Sequence, residues 1–148
     1  MALCPRPSDS SVVSRSFSPR YSSGDYDGTA LAKEHGVVVV AANYRLDVLG
    51  WLAMEELRKE DDEDAYGNYG LQDQRFAMQW TQRNIAAFGG DPNMVTIFGE
   101  SAGGYSVCQH IVSPASDRLF SQAIVESGDC DGPWMVLDGH DAKVCVPW

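Results

Sequence analysis

Basic residues, cysteines and long apolar runs are all scarce in this sequence, and each shortage excludes a class of function. Eleven Lys and Arg stand against 21 Asp and Glu in 148 residues, a formal net charge of -10. Such a chain is a poor partner for nucleic-acid backbones and anionic membranes, because both attract positive surface. No apolar run approaches the roughly 20 residues of a membrane-spanning helix, and the N-terminus lacks the apolar stretch of a signal peptide. We therefore expect one soluble, acidic domain.

The few cysteines indicate no metal site. Cys4, Cys108, Cys130 and Cys145 are separated by spacings that match no set of zinc ligands. Four cysteines allow three disulfide pairings, and the sequence does not choose between them. We carry one pairing forward as a hypothesis, Cys108 with Cys130, and the redox compartment stays open.

Half of the net negative charge lies in one short segment. Residues 55–64 carry seven acidic and two basic side chains. This pattern is typical of a solvated loop whose charges repel one another, and the alternative is a docking patch for a cation.

The order of the predicted elements indicates an α/β fold. The first 23 residues hold eight serines and three prolines and are predicted to be an unstructured arm. The elements that follow are a helix over 29–35, a strand over 37–42 buried on both faces, a helix from Asn68 to about Gly89, a strand over 94–98, a helix over 102–111 and a strand over 122–125. Such alternation predicts a doubly wound, mostly parallel sheet with helices on both faces.

One turn of the predicted sheet carries chemistry. Between the second strand and the next helix stands Gly99-Glu100-Ser101-Ala102-Gly103. The G-x-S-x-G pattern places a serine on a sharp strand-to-helix turn, with its hydroxyl exposed above the sheet. The N–H groups at the start of that helix favour the negative charge that develops during acyl transfer. The pattern predicts a serine nucleophile, and the alternative is a glycine-rich turn with a solvated serine.

Several blocks of sequence, in order, resemble a known family. They are Asn43-Tyr44-Arg45-Leu46, the run from Gly67 to Gln74, the run from Phe88 to Gly103 that contains the serine, the stretch from Leu119 to Gly128, and Pro133-Trp134. Together they resemble the type-B carboxylesterases, the group that includes the cholinesterases, over residues 24–135. The resemblance implies a partial α/β-hydrolase domain there, hydrolysis of small-molecule esters through an acyl-serine, and no cofactor. Residues 136–148 form a tail without this resemblance.

The same resemblance implies roles for individual residues. Ser101 would be the nucleophile, the Ala102 N–H an oxyanion donor, and Glu100 a side chain that lines the active-site gorge. Ser127 occupies the position of a family hydroxyl near the catalytic acid. The alternatives are a solvated residue for Glu100 and a plain turn residue for Ser127.

Two further positions of the resemblance concern structure. Arg45 and Asp73 are similar to a family ion pair that ties a loop to the following helix. Asp47 departs from the family pattern, because many members carry glycine there. The conformation of that loop is therefore open.

Parts of the family's catalytic machinery are missing from this sequence. In α/β-hydrolases the acid and the histidine follow the serine, and we expect the 47 residues after Ser101 to end before either. The H-G-G-G oxyanion loop should lie roughly ten to twenty residues before Tyr26, but the first glycine is Gly24.

The three histidines are predicted to be non-catalytic surface residues. His110 lies on the same helix as the serine turn, about 13 Å along the helix axis at 1.5 Å per residue. His35 precedes a parallel strand and so belongs at the opposite edge of the sheet, and His140 lies in the tail.

Three interpretations of function remain. The favoured one is an incomplete carboxylesterase chain, inactive alone, that lacks the triad acid, the triad histidine and the oxyanion loop. The alternatives are a non-catalytic, cholinesterase-like interaction protein and an inactive fragment without function. Retention of Ser101 within its glycine motif weighs against the interaction protein. Oligomeric state and compartment are not predicted.

Overall fold

The structure is a computed structural model that describes residues 27–60 and 67–131, together with the backbone of residues 2–3 and 10–13. The strands are β1 (Ala2–Leu3), β2 (Ser10–Val13), β3 (Val38–Ala41), β4 (Val95–Glu100) and β5 (Gln122–Glu126). The α-helices are α1 (Thr29–His35), α2 (Asp47–Trp51), α3 (Glu55–Arg58), α4 (Tyr69–Asn84) and α5 (Ala102–Val112), with short 3-10 helices at Ile85–Phe88 and Pro114–Ser116. The predicted tail over 136–148, with His140, and residues 61–64 of the acidic segment lie outside the described residues.

A small parallel sheet forms the centre of the fold. Strand β4 pairs in parallel with β2 and with β5, and β2 pairs in parallel with β3. The two residues of β1 pair antiparallel with β4. Helices alternate with these strands along the chain, and α5 packs against β4 and β5. The predicted α/β class with a mostly parallel sheet is confirmed.

The first two strands lie in the segment predicted to be an unstructured arm. Strand β2 is inserted between β3 and β4, and each of its four residues has a partner in both neighbours. Half of this strand is Val12-Val13, a β-branched pair that favours extended backbone. At residues 2–3 and 10–13 the expectation of an unstructured arm is therefore not met, because these residues form strands by pairing with β3 and β4, which lie far away in sequence.

The core lies between the sheet and helices α4 and α5. Its buried cluster consists of Met78, Val95, Ile97 and Val107. Strand β3 differs from its prediction, since Val38, Val39 and Val40 are only half-buried and Ala41 is exposed. The side chains of β3 line an open groove of about 450 Å³ with Phe76, Trp80 and Phe88.

Helix α4 buries a face that its apolar pattern predicts only in part. The buried positions are Gly70, Gln74, Met78 and Thr81, and Ile85 continues them in the following 3-10 helix. Trp80, the apolar residue next to the buried Thr81, remains 40% exposed. Neighbouring stripes of this helix both carry apolar residues, so contact with the sheet decides which stripe is buried.

The predicted pair of Arg45 and Asp73 forms a two-pronged ion pair. The Nε and Nη2 groups of Arg45 donate to Oδ2 and Oδ1 of Asp73 at 2.8 and 2.9 Å. The backbone N–H of Arg45 also donates to Oδ2, at 2.9 Å. Burial raises the pKa of Asp73, but the hydrogen bonds and charge of Arg45 outweigh it and hold that pKa below its ordinary value.

Asp47 has a conformation that explains why glycine is common at its position. Its φ is 50°, in the left-handed region that glycine enters without steric cost. Aspartate is one of the few other residues that tolerates this region.

Cys108 and Cys130 form a disulfide, with their Cα atoms 5.3 Å apart. The bond joins the middle of α5 to the segment that follows β5, over a sequence separation of 22 residues. The hypothesis for this pair is confirmed.

We predict that replacing both cysteines, Cys108→Ala with Cys130→Ala, lowers the free energy of unfolding by about 3 kcal/mol, because the open chain gains the entropy of a loop of this length. Urea denaturation measures the change. Alkylation of the native protein before reduction should leave both cysteines unmodified in a peptide map. Free alkylation of either one would contradict the bond.

Candidate active site

The serine turn has the sharp geometry that its motif predicts. Strand β4 ends at Glu100, α5 begins at Ala102, and Ser101 connects them with φ 54° and ψ -121°. This backbone region is sparsely populated for residues other than glycine, and such strain clusters at functional sites. The Ser101 N–H donates to the Glu126 carbonyl at 2.9 Å, and its own carbonyl accepts from the Tyr105 N–H at 3.1 Å. The turn is present, and the catalytic role of its serine stays a prediction.

Close backbone contacts leave no room for side chains around the turn. A Cβ atom added at Gly99 would lie 2.3 Å from the carbonyl carbon of Gly103. A Cβ atom at Gly104 would lie 2.9 Å from the Glu126 oxygen and from the Cα of Gly128. These distances are shorter than any normal carbon contact, so the glycines are required by packing.

We predict that Gly99→Ala lowers the free energy of unfolding by about 3 kcal/mol, the upper end of the usual cost of overpacking, because the added methyl group meets backbone that cannot move aside. The control is Gly89→Ala. Gly89 has a φ of 84° and open space around it, so only backbone strain of about 1 kcal/mol is expected there. Urea denaturation of both variants checks the difference, and equal losses would contradict the close contact.

The parallel register brings a second serine to the same edge of the sheet. Glu100 pairs with Glu126, so Ser101 and Ser127 each follow the carboxyl end of adjacent strands. Ligands bind beyond the carboxyl ends of strands in open α/β sheets. The side chains of Ser101, Glu100 and Ser127 are all exposed. The structure therefore places the predicted residues together on an accessible edge.

Ala102 is the first residue of α5. The first N–H groups of an α-helix have no acceptor within the helix and carry the positive end of its dipole. An anionic oxygen next to Ser101 would be stabilised by these groups, and the role of the Ala102 N–H as an oxyanion donor stays a prediction.

The described histidines are not brought to Ser101. His35 is exposed and precedes the amino end of β3, whereas Ser101 follows the carboxyl end of β4. His110 lies in the last turn of α5.

The prediction of a surface position for His110 is wrong, since its side chain is only 5% exposed. Its Nδ1 lies 2.9 Å from Ser116 Oγ, and its Nε2 lies 2.9 Å from Gln74 Oε1. A sequence signal for this burial exists: His110 is seven residues after the buried Gly103 and three after the buried Val107, on one stripe of α5. Burial, with a smaller effect from the positive charge of Arg75, lowers the pKa of His110 to about 4.

We predict that the free energy of unfolding decreases as the pH falls from 6.5 towards 4. The unfolded chain binds a proton on His110 below its ordinary pKa of 6.5, while the folded chain resists that proton down to about 4. The contribution of neutral His110 to the free energy of unfolding is therefore complete above pH 6.5. Between pH 6.5 and 4 the free energy of unfolding changes by up to about 1.4 kcal/mol per pH unit.

Urea denaturation at several pH values measures this slope, with His110→Gln as the non-titrating control. A free energy of unfolding with the same pH dependence in both proteins would contradict the buried neutral histidine. The Asp73 pKa lies below its ordinary value of 3.8, so its effect falls below this window.

Within the part of the chain that the structure describes, no group of three or more His, Cys, Asp or Glu side chains could hold a metal ion. No helix among the same residues has the length and apolar character needed to cross a membrane.

A strained serine between a parallel strand and a helix N-terminus is the arrangement of the α/β-hydrolase class. Comparison with known proteins narrows this class: residues 15–145 match the Carboxylesterase family, and the chain belongs to that family. It is 44% identical over 144 residues to a cholinesterase of Mus musculus, covering 94% of this chain and 23% of the mouse protein. It is also 44% identical to an acetylcholinesterase of Danio rerio, covering 94% of this chain and 22% of that protein. The chain thus spans less than a quarter of the length of these relatives.

Proposed function

We propose that this chain carries the nucleophile of a serine carboxylesterase, and that Ser101 is that nucleophile. The observation that carries the proposal is the strained turn itself, with φ 54° at an exposed serine held against a helix N-terminus. Membership of the Carboxylesterase family supports ester hydrolysis as the reaction. The names of the relatives agree with this reaction class.

In this mechanism the Ser101 hydroxyl oxygen attacks the carbonyl carbon of a small carboxylic ester. The proton of the hydroxyl passes to a histidine base, and the carbonyl oxygen takes up negative charge beside the Ala102 N–H. Collapse of this intermediate expels the alcohol, which recovers the proton, and leaves the acyl group on the serine. Water then releases the acid by the same steps.

The histidine base has to come from outside the described residues. His35 lies at the opposite edge of the sheet, and both ring nitrogens of His110 are occupied by buried partners. His140 lies in the tail outside the described residues, and the family order of serine, acid and histidine implies a base further downstream. We therefore propose that residues 1–148 alone hydrolyse esters poorly. Loss of the base of a serine triad costs on the order of a million-fold in turnover.

The test begins with the transcript on both sides of this reading frame. We expect an H-G-G-G segment upstream, and an acidic residue followed by a histidine downstream. The protein made from that message should hydrolyse p-nitrophenyl acetate and react with a fluorophosphonate at Ser101. The variant Ser101→Ala should lose both activities, with turnover falling by a factor on the order of a million.

Two controls separate the outcomes. Ser127→Ala removes the neighbouring exposed hydroxyl and should leave the labelling of Ser101 in place. Residues 1–148 alone should show negligible turnover, and efficient hydrolysis by them that is abolished in Ser101→Ala would contradict the need for an outside base. An active protein in which Ser101→Ala changes nothing would overturn the proposed nucleophile.

A further inference from the structure

A chain of four buried polar side chains runs from the far end of α5 back to the serine turn. Its members are Gln74, Ser106, His110 and Ser116, and each is at most 5% exposed. Beyond the two contacts of His110 already described, Gln74 Nε2 lies 3.3 Å from Ser106 Oγ. Ser106 Oγ in turn lies 3.1 Å from the Ala102 carbonyl oxygen. The chain thus connects α4 with both ends of α5.

The donor and acceptor roles along this chain agree with one another. Gln74 Oε1 can only accept, so His110 donates from Nε2, and its neutral ring then accepts at Nδ1 from the Ser116 hydroxyl. Gln74 Nε2 can only donate, so Ser106 accepts from it and donates its own proton to the Ala102 carbonyl. These four hydrogen bonds are therefore mutually consistent.

The chain of hydrogen bonds ends on Ala102, the residue that follows the candidate nucleophile. The Ala102 carbonyl belongs to the first residue of α5, whose N–H is the proposed oxyanion donor. The opposite side of the turn is held by β5, through the Glu126 carbonyl on the Ser101 N–H. The turn therefore has supports from two directions, one from β5 and one from α4.

The stability of the folded protein alone does not account for such a chain of buried polar side chains. Buried polar side chains gain little over apolar ones of the same shape, whereas a fully satisfied network specifies one geometry. A leucine or methionine on α4 would fill the space of Gln74, but only a group with both a donor and an acceptor can join His110 to Ser106 and leave the Ser106 proton for the Ala102 carbonyl.

We propose that Gln74 and Ser106 are positioning residues that hold the Ala102 carbonyl, and with it the N-terminal turn of α5, in the orientation that the serine turn needs. The catalytic meaning of this positioning rests on the function proposed above. The positioning itself is a property of the folded chain and can be measured without any activity.

The first experiment compares variants at the two ends of the hydrogen-bond chain. Ser106→Ala and Ser116→Ala each remove one buried hydroxyl, and only the first contacts the Ala102 carbonyl. Amide hydrogen exchange of residues 1–148 should become about five- to tenfold faster in the turn 101–105 of Ser106→Ala, measured at its two hydrogen-bonded amides, Ser101 and Tyr105. This is the factor expected from loss of one net hydrogen bond. Ser116→Ala should leave exchange at 101–105 unchanged.

A second pair of variants covers the case in which Ser106→Ala does not fold. Ser106→Thr and Ser106→Val have the same shape and differ only in the hydroxyl group. Ser106→Thr should keep slow exchange at 101–105, and Ser106→Val should lose it. Equal exchange in this pair, or equal effects of Ser106→Ala and Ser116→Ala at 101–105, would overturn the positioning.

The second experiment uses the protein made from the complete message. Ser106→Ala should lower kcat for p-nitrophenyl acetate about tenfold or more with little change in KM, because misplaced catalytic groups stabilise the transition state less well. Ser116→Ala should keep kcat. A wild-type protein that neither hydrolyses the ester nor reacts with the fluorophosphonate would refute the proposed function. It would leave the positioning role of Gln74 and Ser106 standing, because the hydrogen-exchange comparison tests that role separately. An active enzyme with equal kcat in both variants would refute the catalytic meaning.

Discussion

Close backbone contact at the serine turn is the constraint on which the candidate site depends. Gly103 backbone fills the space that a side chain at Gly99 would need, and Gly128 does the same for Gly104. Neither pair can separate unless α5 tilts away from β4 and β5, so the helix N-terminus stays at the carboxyl edge of the sheet. The positive φ of Ser101 costs about 1–3 kcal/mol. It persists because these contacts and the hydrogen bond to the Glu126 carbonyl leave the turn no other conformation.

Helix α5 is also secured along the rest of its length by groups that are distant in sequence. The disulfide at Cys108 holds its middle to the segment after β5, and Ser106 is bonded to Gln74 on α4. Helix α4 is itself tied to the loop after β3 through Asp73 and Arg45. The orientation of the serine is therefore a result of tertiary structure. The G-x-S-x-G motif provides the glycines that permit the turn, and these connections select it.

Local patterns in the sequence were sufficient to predict the helices, the strands and the serine turn. They were insufficient to predict the contacts between these elements. The valine run of β3 and the glycines around Ser101 have meanings that depend on a few neighbouring residues, and both predictions located their elements correctly. The stripe of α5 that carries His110 could have indicated its burial, but its partner Gln74, 36 residues away, could not be found from the local sequence. The strand at Ser10–Val13 depends in the same way on partners in β3 and β4. The role of Ser101 rests on the motif and the turn and is still a prediction.

The geometry of the turn and the chemistry of proton transfer are separable parts of this site. A helix N-terminus stabilises a nearby negative charge by at most about 2 kcal/mol, and one oxyanion donor contributes about 3 to 4 kcal/mol. A triad base is worth about a million-fold, or about 8 kcal/mol of transition-state stabilisation. In the proposed mechanism the described residues thus provide the turn and the smaller part of the catalytic free energy. The larger part would come from a histidine that reaches Ser101 from outside the described residues. Exposed Arg118 and Ser127 also have positive φ, so what sets Ser101 apart is its place between the end of β4 and the N-terminus of α5, where the proposed nucleophile would need such a partner.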